Sequence, residues 1–126
     1  MTEEQKALLL KDLCARLPYK TLISINGERY RMEEICNALI GIDTYKITVD
    51  GCSIDSVKPY LFPLSSMTEE QKIIYGDLCY AIIHSLAWDM QAALNELVDW
   101  LNENYFDYNN LIPIGLANDA TGLNIY

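Results

Sequence analysis

The sequence predicts an α+β domain, with an N-terminal helix, a four- to five-stranded antiparallel meander or small barrel, and C-terminal helices. Three observations lead to it: two capping-box words that open helical patterns, an Asn-Gly pair between two β-forming runs, and a helical apolar pattern that fills residues 69–103. With 126 residues and 51% hydrophobic content, the chain has the usual size of one domain with its own core. We therefore expect a single compact domain over residues 1–126.

The helix starts are marked by one short word, Met-Thr-Glu-Glu-Gln-Lys, at residues 1–6 and again at 67–72. In each copy the Thr is the expected N-cap, the Gln three positions later completes a capping box, and the two Glu residues favour the positive end of the helix dipole. The first helix is expected over residues 3–16, ended by Pro18. Its predicted buried stripe consists of Leu10, Leu13, Cys14 and Leu17.

The Asn-Gly pair at residues 26–27 lies between the runs 20–25 and 28–32, a strong signal for a two-residue hairpin turn. Such a turn fixes the register, so Ile23 is expected opposite Tyr30. The predicted core side carries Ile23, Ile25, Tyr30 and Met32, and the predicted outer side carries Arg29 and Arg31, with Lys20 and Lys46 nearby.

Further strands are predicted at residues 38–42, 45–49 and 52–54, with an Asp-Gly turn at 50–51. Residues 55–66 contain two prolines and are expected to cross in extended form from the sheet to the helices. The later apolar pattern predicts two helices that break near Ser85 to Asp89, with one long helix as the alternative. A short helical turn is predicted around residues 111–117.

Charge is divided unevenly along the chain. All nine Lys and Arg residues lie before residue 73, whereas residues 73–126 carry seven acidic residues, within a net charge of −9. Such an acidic surface repels phosphate backbones, so it argues against nucleic-acid binding and favours a basic protein partner. No run of about 18 uncharged apolar residues and no leader pattern is found, so we expect a cytoplasmic protein without a membrane partner.

Motifs for catalysis or cofactor binding are missing from the sequence, which has no glycine-rich phosphate loop, zinc-protease helix, nucleophile elbow or calcium loop. The only histidine, His84, shares a predicted helix face with Tyr80 and Trp88, with no nucleophile beside it. We expect no catalytic residue, no cofactor, no metal and no enzymatic activity. The four cysteines lack zinc-site spacing and are expected to be buried free thiols: Cys14, Cys36, Cys52 and Cys79.

Aromatic residues beside prolines or at the end of the acidic helix form the candidate interaction surface, since interfaces are enriched in such side chains. The alternative interpretation is that most of them belong to the core. Tyr105 belongs to the same aromatic set. The predicted binding residues are Tyr60, Phe62, Asp99, Trp100, Glu103, Phe106, Asp107 and Tyr108.

Residues 12–19, 58–70 and several positions between 99 and 117 resemble uncharacterised small proteins of phages and mobile elements of gut bacteria. The matching words include Asp-Leu-Cys-Ala-Arg-Leu-Pro-Tyr at 12–19 and Lys-Pro-Tyr-Leu-Phe-Pro-Leu-Ser-Ser-Met-Thr-Glu-Glu at 58–70. The chain departs from that pattern where Phe62 replaces a basic residue, Asn104 or its neighbour a histidine, and Asn109-Asn110 an Arg-Gly pair. The resemblance implies an accessory protein of a phage or mobile element and supplies no catalytic residue.

Two hypotheses of function follow. The first is a non-enzymatic, acidic protein-binding accessory factor that inhibits a basic host protein, and charge reversal at Asp99, Glu103 and Asp107 should abolish its binding. The alternative is a small-barrel module that binds nucleic acid or a peptide through the basic hairpin face, and charge reversal at Arg29 and Arg31 should abolish that binding.

Overall fold

The computed structural model describes residues 1–31, 40–43, 46–49, 52–86 and 89–126. Within these ranges an N-terminal helix precedes the strands and two helices follow most of them, which confirms the α+β class. The helices are α1 (Glu3–Arg16), α2 (Glu69–Ile83) and α3 (Met90–Glu103). The strands are β1 (Leu22–Ile25), β2 (Glu28–Arg31), β3 (Ile40–Asp43), β4 (Lys46–Val49), β5 (Cys52–Ser53), β6 (Val57–Leu61) and β7 (Asn118–Asp119).

The strands form two sheets, in the orders β2-β1-β6-β7 and β3-β4-β5. In the first sheet β6 pairs antiparallel with β1, but β7 pairs parallel with β6. The prediction of one antiparallel meander or closed barrel is therefore wrong. After β2 the chain leaves the first sheet and returns on the other side of β1, and the described strands leave β2 and β7 as open edges.

Both predicted capping boxes are confirmed. Thr2 Oγ1 accepts a hydrogen bond from the Gln5 N–H at 3.1 Å, and Gln5 Oε1 accepts one from the Thr2 N–H at 3.0 Å. Thr68 and Gln71 repeat the arrangement at the start of α2. Each cap satisfies backbone donors that the first turn of a helix leaves unpaired, which stabilises the helix by about 1 kcal/mol.

The buried stripe of α1 differs from the predicted one. It consists of Leu9, Asp12, Leu13 and Arg16, so an ion pair lies where apolar side chains were expected. Asp12 and Arg16 are four positions apart and compensate each other's charge, which lets the helix turn this face inward. In consequence, the predicted stripe residue Leu17 is 44% exposed.

The hairpin of β1 and β2 has the predicted register, with Ile23 opposite Tyr30. Its turn residues Asn26 and Gly27 both have positive φ, at 53° and 84°, as a type I′ turn requires. Met32, predicted on the core side of the hairpin, lies outside the described residues. Every residue of β1 is buried. The core covers one face, and on the other face the Asn118 amide donates to Ser24 Oγ at 2.9 Å.

Strand β6 is an interior strand, although two prolines had suggested only an extended crossing. Pro59 lies opposite Ile23. The Asn26 N–H donates to the Ser56 carbonyl at 3.2 Å, so these two residues form a hydrogen-bonded pair of the ladder. Hydrogen-bonded and non-hydrogen-bonded pairs alternate along antiparallel strands, so the pair that contains Pro59, three positions further on, is non-hydrogen-bonded. Pro59 therefore removes no donor that the ladder with β1 needs.

Among the residues that the structure describes, apolar side chains form two core groups. The larger lies between α1, the inner face of the first sheet and residues 111–117, with Leu13, Val57 and Leu111 all fully buried. The smaller surrounds Phe106 at the end of α3. The predicted break between the C-terminal helices is confirmed, since α2 ends at Ile83 and α3 begins at Met90.

Candidate functional site

The structure divides the predicted binding residues among four places. Phe62, Trp100, Glu103 and Phe106 meet around the C-terminal end of α3. Asp99 lies on the exposed side of α3, one turn before Glu103, and Tyr60 lies on the outer face of β6. The remaining two, Asp107 and Tyr108, lie beneath the end of α3 and make internal hydrogen bonds.

Helix α3 ends in a Schellman motif. The Phe106 N–H donates to the Leu101 carbonyl at 2.9 Å, and the Tyr105 N–H donates to the Asn102 carbonyl at 3.1 Å. Tyr105 therefore occupies the left-handed position of the motif, with φ of 60°, where glycine is usual. The turn redirects the chain so that residues 105–107 exchange hydrogen bonds with the backbone of Phe62.

An aromatic cleft of about 380 Å³ opens at this turn. One wall is a stacked pair, Tyr105 and Tyr126, with ring centroids 3.6 Å apart and planes inclined by 10°. The ring of Phe62 lies 5.8 Å from that of Tyr126. The aromatic cleft is lined by Phe62, Ser66, Thr68, Gln71, Glu103, Asn104, Tyr105, Phe106 and Tyr126.

An acidic groove of about 600 Å³ runs between α2 and α3 beside the aromatic cleft. Its rim carries three carboxylates that follow one another along α3, and its floor is partly apolar. Glu103 lines both depressions, so they adjoin at this residue. The acidic groove is lined by Ile74, Leu78, Ala92, Asn95, Glu96, Asp99, Trp100 and Glu103.

Asp99 is held in place by Tyr19, in the turn that follows α1. The Tyr19 hydroxyl donates to Asp99 Oδ1 at 3.0 Å. Desolvation and this hydrogen bond raise the pKa of Tyr19 above its ordinary value of 10.0. Among the described residues, Glu96 and Glu103 have no ion-pair partner, so both carboxylates are available to a ligand.

Phe106 and Asp107 are buried, at 2% and 6% exposure. The Asp107 carboxylate accepts hydrogen bonds from the backbone N–H groups of Leu111 and Ile112 at 2.8 and 2.9 Å. It therefore caps the turn that follows, and its negative charge does not reach the surface. Tyr108 donates to Asn102 Oδ1 at 2.9 Å, and burial raises the pKa of its hydroxyl.

Arg16 ties α1 to this same segment. It is fully buried, bonds Asp12 through Nε at 2.8 Å and Nη2 at 3.2 Å, and donates from Nη2 to the Phe106 carbonyl at 2.6 Å. Its Nη1 has no hydrogen-bond partner among the described residues. The guanidinium carbon lies 4.9 Å from the ring centre of Tyr108, so the negative face of that ring partly compensates the unpaired donor.

The outer face of the first sheet is basic, as the register predicts. Arg29 lies opposite Ser24 in the hairpin, and Ser24 lies opposite Lys58 in β6, so both cations share the face of Tyr60. The Arg29 guanidinium carbon is 5.2 Å from the centre of the Tyr60 ring. Arg31, two residues further along β2, projects from the same face.

His84 follows the last turn of α2 and is exposed, with its ring centroid 3.9 Å from that of Tyr80. Its predicted neighbour Trp88 lies outside the described residues. Across the part of the chain that the structure describes, no three His, Cys, Asp or Glu side chains group together in a way that could hold a metal ion.

The prediction that the cysteines are buried is wrong for Cys14, which is exposed on α1 with a free thiol. The inward turn of Asp12 and Arg16 rotates this position toward solvent. Cys79 is half-buried and free. Cys36 and the side chain of Cys52 lie outside the described residues.

Sequence reasoning did not find Tyr126 or Ser66 as parts of the site. Tyr126 reaches the cleft because its hydroxyl donates to the Tyr60 carbonyl at 2.8 Å and accepts from the Leu22 N–H at 2.9 Å. No local pattern signals contacts over 66 and 104 positions of sequence. The aromatic character of residue 126 was the single available clue.

Comparison of the chain with protein-family models, with curated proteins and with solved structures gave no match. None of the helices in the described ranges has the length and apolar composition needed to span a bilayer.

Proposed function

We propose that this protein is a non-enzymatic accessory factor that binds a basic protein through the acidic groove. The resemblance to proteins of phages and mobile elements supports an accessory role and does not name an activity. In the proposed role the bound protein would be a basic protein of the host whose activity is blocked. Binding would place cationic side chains of the partner against the rim of the groove and apolar side chains against its floor.

The observation that carries this proposal is the pairing of a carboxylate rim with an apolar floor. Glu96, Asp99 and Glu103 recur at the spacing of successive helical turns, so they present one line of negative charge. No lysine or arginine follows Lys72 in the sequence. The local field of the acidic groove between α2 and α3 is therefore negative, and such a field speeds association with a basic partner and weakens as salt rises.

The apolar floor supplies the contact area that charge alone does not. Ile74 is 43% exposed, and Leu78 and Trp100 are half-buried. Trp is among the residues most often found at interface hot spots. Truncating such a side chain to alanine costs about 2 kcal/mol or more of binding free energy. A partner with basic and apolar residues on one helix face matches this groove.

The proposal is tested by capture from a related bacterial host with a tagged copy of the chain, at low and moderate salt. The double variant Glu96→Lys with Asp99→Lys should lose the captured protein. The matched control is Glu70→Lys with Asp77→Lys, which makes the same charge change on exposed positions of α2 outside the groove. Equal capture by both double variants, or capture that does not weaken with salt, would contradict the proposal.

A second candidate function is binding of nucleic acid or of an acidic peptide by the outer sheet face. The observation that favours it is the shared placement of Arg29 and Lys58 with the ring of Tyr60. Cations combined with an aromatic ring are typical of single-strand binding surfaces. Loss of salt-sensitive oligonucleotide binding in Arg29→Glu with Arg31→Glu, measured by fluorescence anisotropy, would support this function, and no binding by the unmodified chain would exclude it.

A further inference from the structure

We propose that the aromatic cleft binds an arginine side chain of the partner protein. This inference rests on the proposed function and names the chemistry by which the partner is recognised. It concerns a depression separate from the floor of the acidic groove, joined to it at Glu103.

The walls of the cleft suit a flat cation. Tyr105 and Tyr126 are stacked nearly parallel, and the ring of Phe62 is 5.8 Å from Tyr126 at an interplanar angle of 55°. Tyr126 directs its hydroxyl toward the sheet through its bonds to Tyr60 and Leu22, and its ring, stacked on one side by Tyr105, lines the cleft. A guanidinium group stacks on aromatic faces better than an ammonium group, because it is planar and weakly hydrated.

The polar groups of the cleft favour a donor of hydrogen bonds. Glu103 is the one charged residue in the lining. The Ser66 hydroxyl donates to the Pro63 carbonyl at 2.7 Å, and the Asn104 amide nitrogen donates to the Trp100 carbonyl at 2.9 Å. Each of these residues therefore uses a donor in a bond within the protein, and its side-chain oxygen can still accept a hydrogen bond. The several N–H groups of arginine can donate to these oxygens.

The backbone of Tyr105 adds support. A bulky residue in the left-handed region is strained relative to glycine, yet a tyrosine occupies this position. Its side chain stacks on Tyr126, and its hydroxyl donates to the Tyr19 carbonyl at 3.0 Å. The strained turn therefore fixes an aromatic ring at the wall of the cleft.

The test is a titration of the ¹⁵N-labelled chain, followed by two-dimensional NMR, with N-acetyl-arginine methylamide as the probe. Its neutral isostere, N-acetyl-citrulline methylamide, is the control ligand. We expect saturable shifts of the backbone amides of residues 103–106 with the arginine probe and at least fivefold weaker binding of the citrulline probe. Glu103→Gln should weaken arginine binding at least fivefold, whereas the control variant Asp77→Asn should leave it unchanged.

Equal binding of the two probes, or equal loss in the Glu103→Gln and Asp77→Asn variants, would overturn the inference. Its failure is distinguishable from failure of the proposed function. If the partner protein is captured normally by Glu103→Gln but lost in Glu96→Lys with Asp99→Lys, the acidic groove stands and the arginine site falls.

Discussion

The buried pair of Asp12 and Arg16 allows a sharp prediction of stability. In the variant Arg16→Met, the Asp12 carboxylate stays buried at 0% exposure and, among its described partners, keeps only the hydrogen bond from Asn109 at 2.8 Å. The Phe106 carbonyl also loses its 2.6 Å donor. Removal of one partner from a buried ion pair costs about 3–5 kcal/mol, because the remaining charge is uncompensated.

That cost is a large part of the roughly 6–19 kcal/mol expected for the free energy of unfolding of a chain of this size. Urea denaturation followed by far-ultraviolet circular dichroism should show a fall in the midpoint of about 1–3 M. The double variant Asp12→Leu with Arg16→Met removes both charges and should recover most of the loss, to within about 1.5 kcal/mol of the unmodified chain. The reasoning is refuted if Arg16→Met alone costs less than about 1 kcal/mol, or if the double variant is less stable than the single one.

Three further predictions concern the caps, the tyrosine of the cleft and the exposed face of α2. Thr68→Ala and Thr2→Ala should each lower the free energy of unfolding by about 1 kcal/mol in thermal denaturation, and no effect at either would contradict the capping geometry. Burial raises the pKa of Tyr126 above the ordinary 10.0, so its stabilising contribution is complete below pH 10 and is lost as the pH rises further. The decline in unfolding free energy as the pH rises above 10 should accordingly be shallower in Tyr126→Phe, and an unchanged slope would count against burial of the hydroxyl. Ile83 is 76% exposed whereas Leu9 is fully buried. Ile83→Lys should therefore change the unfolding free energy by less than about 0.5 kcal/mol, and Leu9→Ala should lower it by about 2–5 kcal/mol. Comparable losses for the two variants in urea denaturation would show that Ile83 is covered.

The features that were predictable from the sequence are those with a local cause. Each capping box depends on residues three positions apart, and the hairpin register depends on the two turn residues. The inward face of α1 was not predictable by counting apolar residues, because Asp12 and Arg16 are buried only as a pair. The role of β6 was missed because Pro59 argues against an interior strand unless its register is known.

In the candidate site as well, some residues were predictable from local sequence, whereas their assembly depends on distant parts of the chain. Phe62, Glu103 and Phe106 were predicted, and the structure places all three around the aromatic cleft. Their assembly depends on the left-handed turn at Tyr105, for which a tyrosine gives no signal, and on Tyr126, which comes from a distant part of the chain. Whether a carboxylate such as Asp107 faces solvent depends on the turn it caps, and residue type does not reveal this.

The long-range hydrogen bonds have a consequence for how the chain folds during synthesis. Arg16 donates to the carbonyl of Phe106, 90 positions later in the chain, and the Leu22 N–H donates to the hydroxyl of Tyr126, 104 positions later. Neither bond can form until its acceptor has been synthesised. At about 5–20 residues per second, the ribosome needs roughly 5–20 s to make that intervening chain. During this interval the buried charged pair of α1 and the Leu22 N–H lack these native partners, although β6 can already cover the edge of β1. Binding of chaperones to nascent chains should therefore concentrate on residues 9–25 and end when residues 106–126 become available.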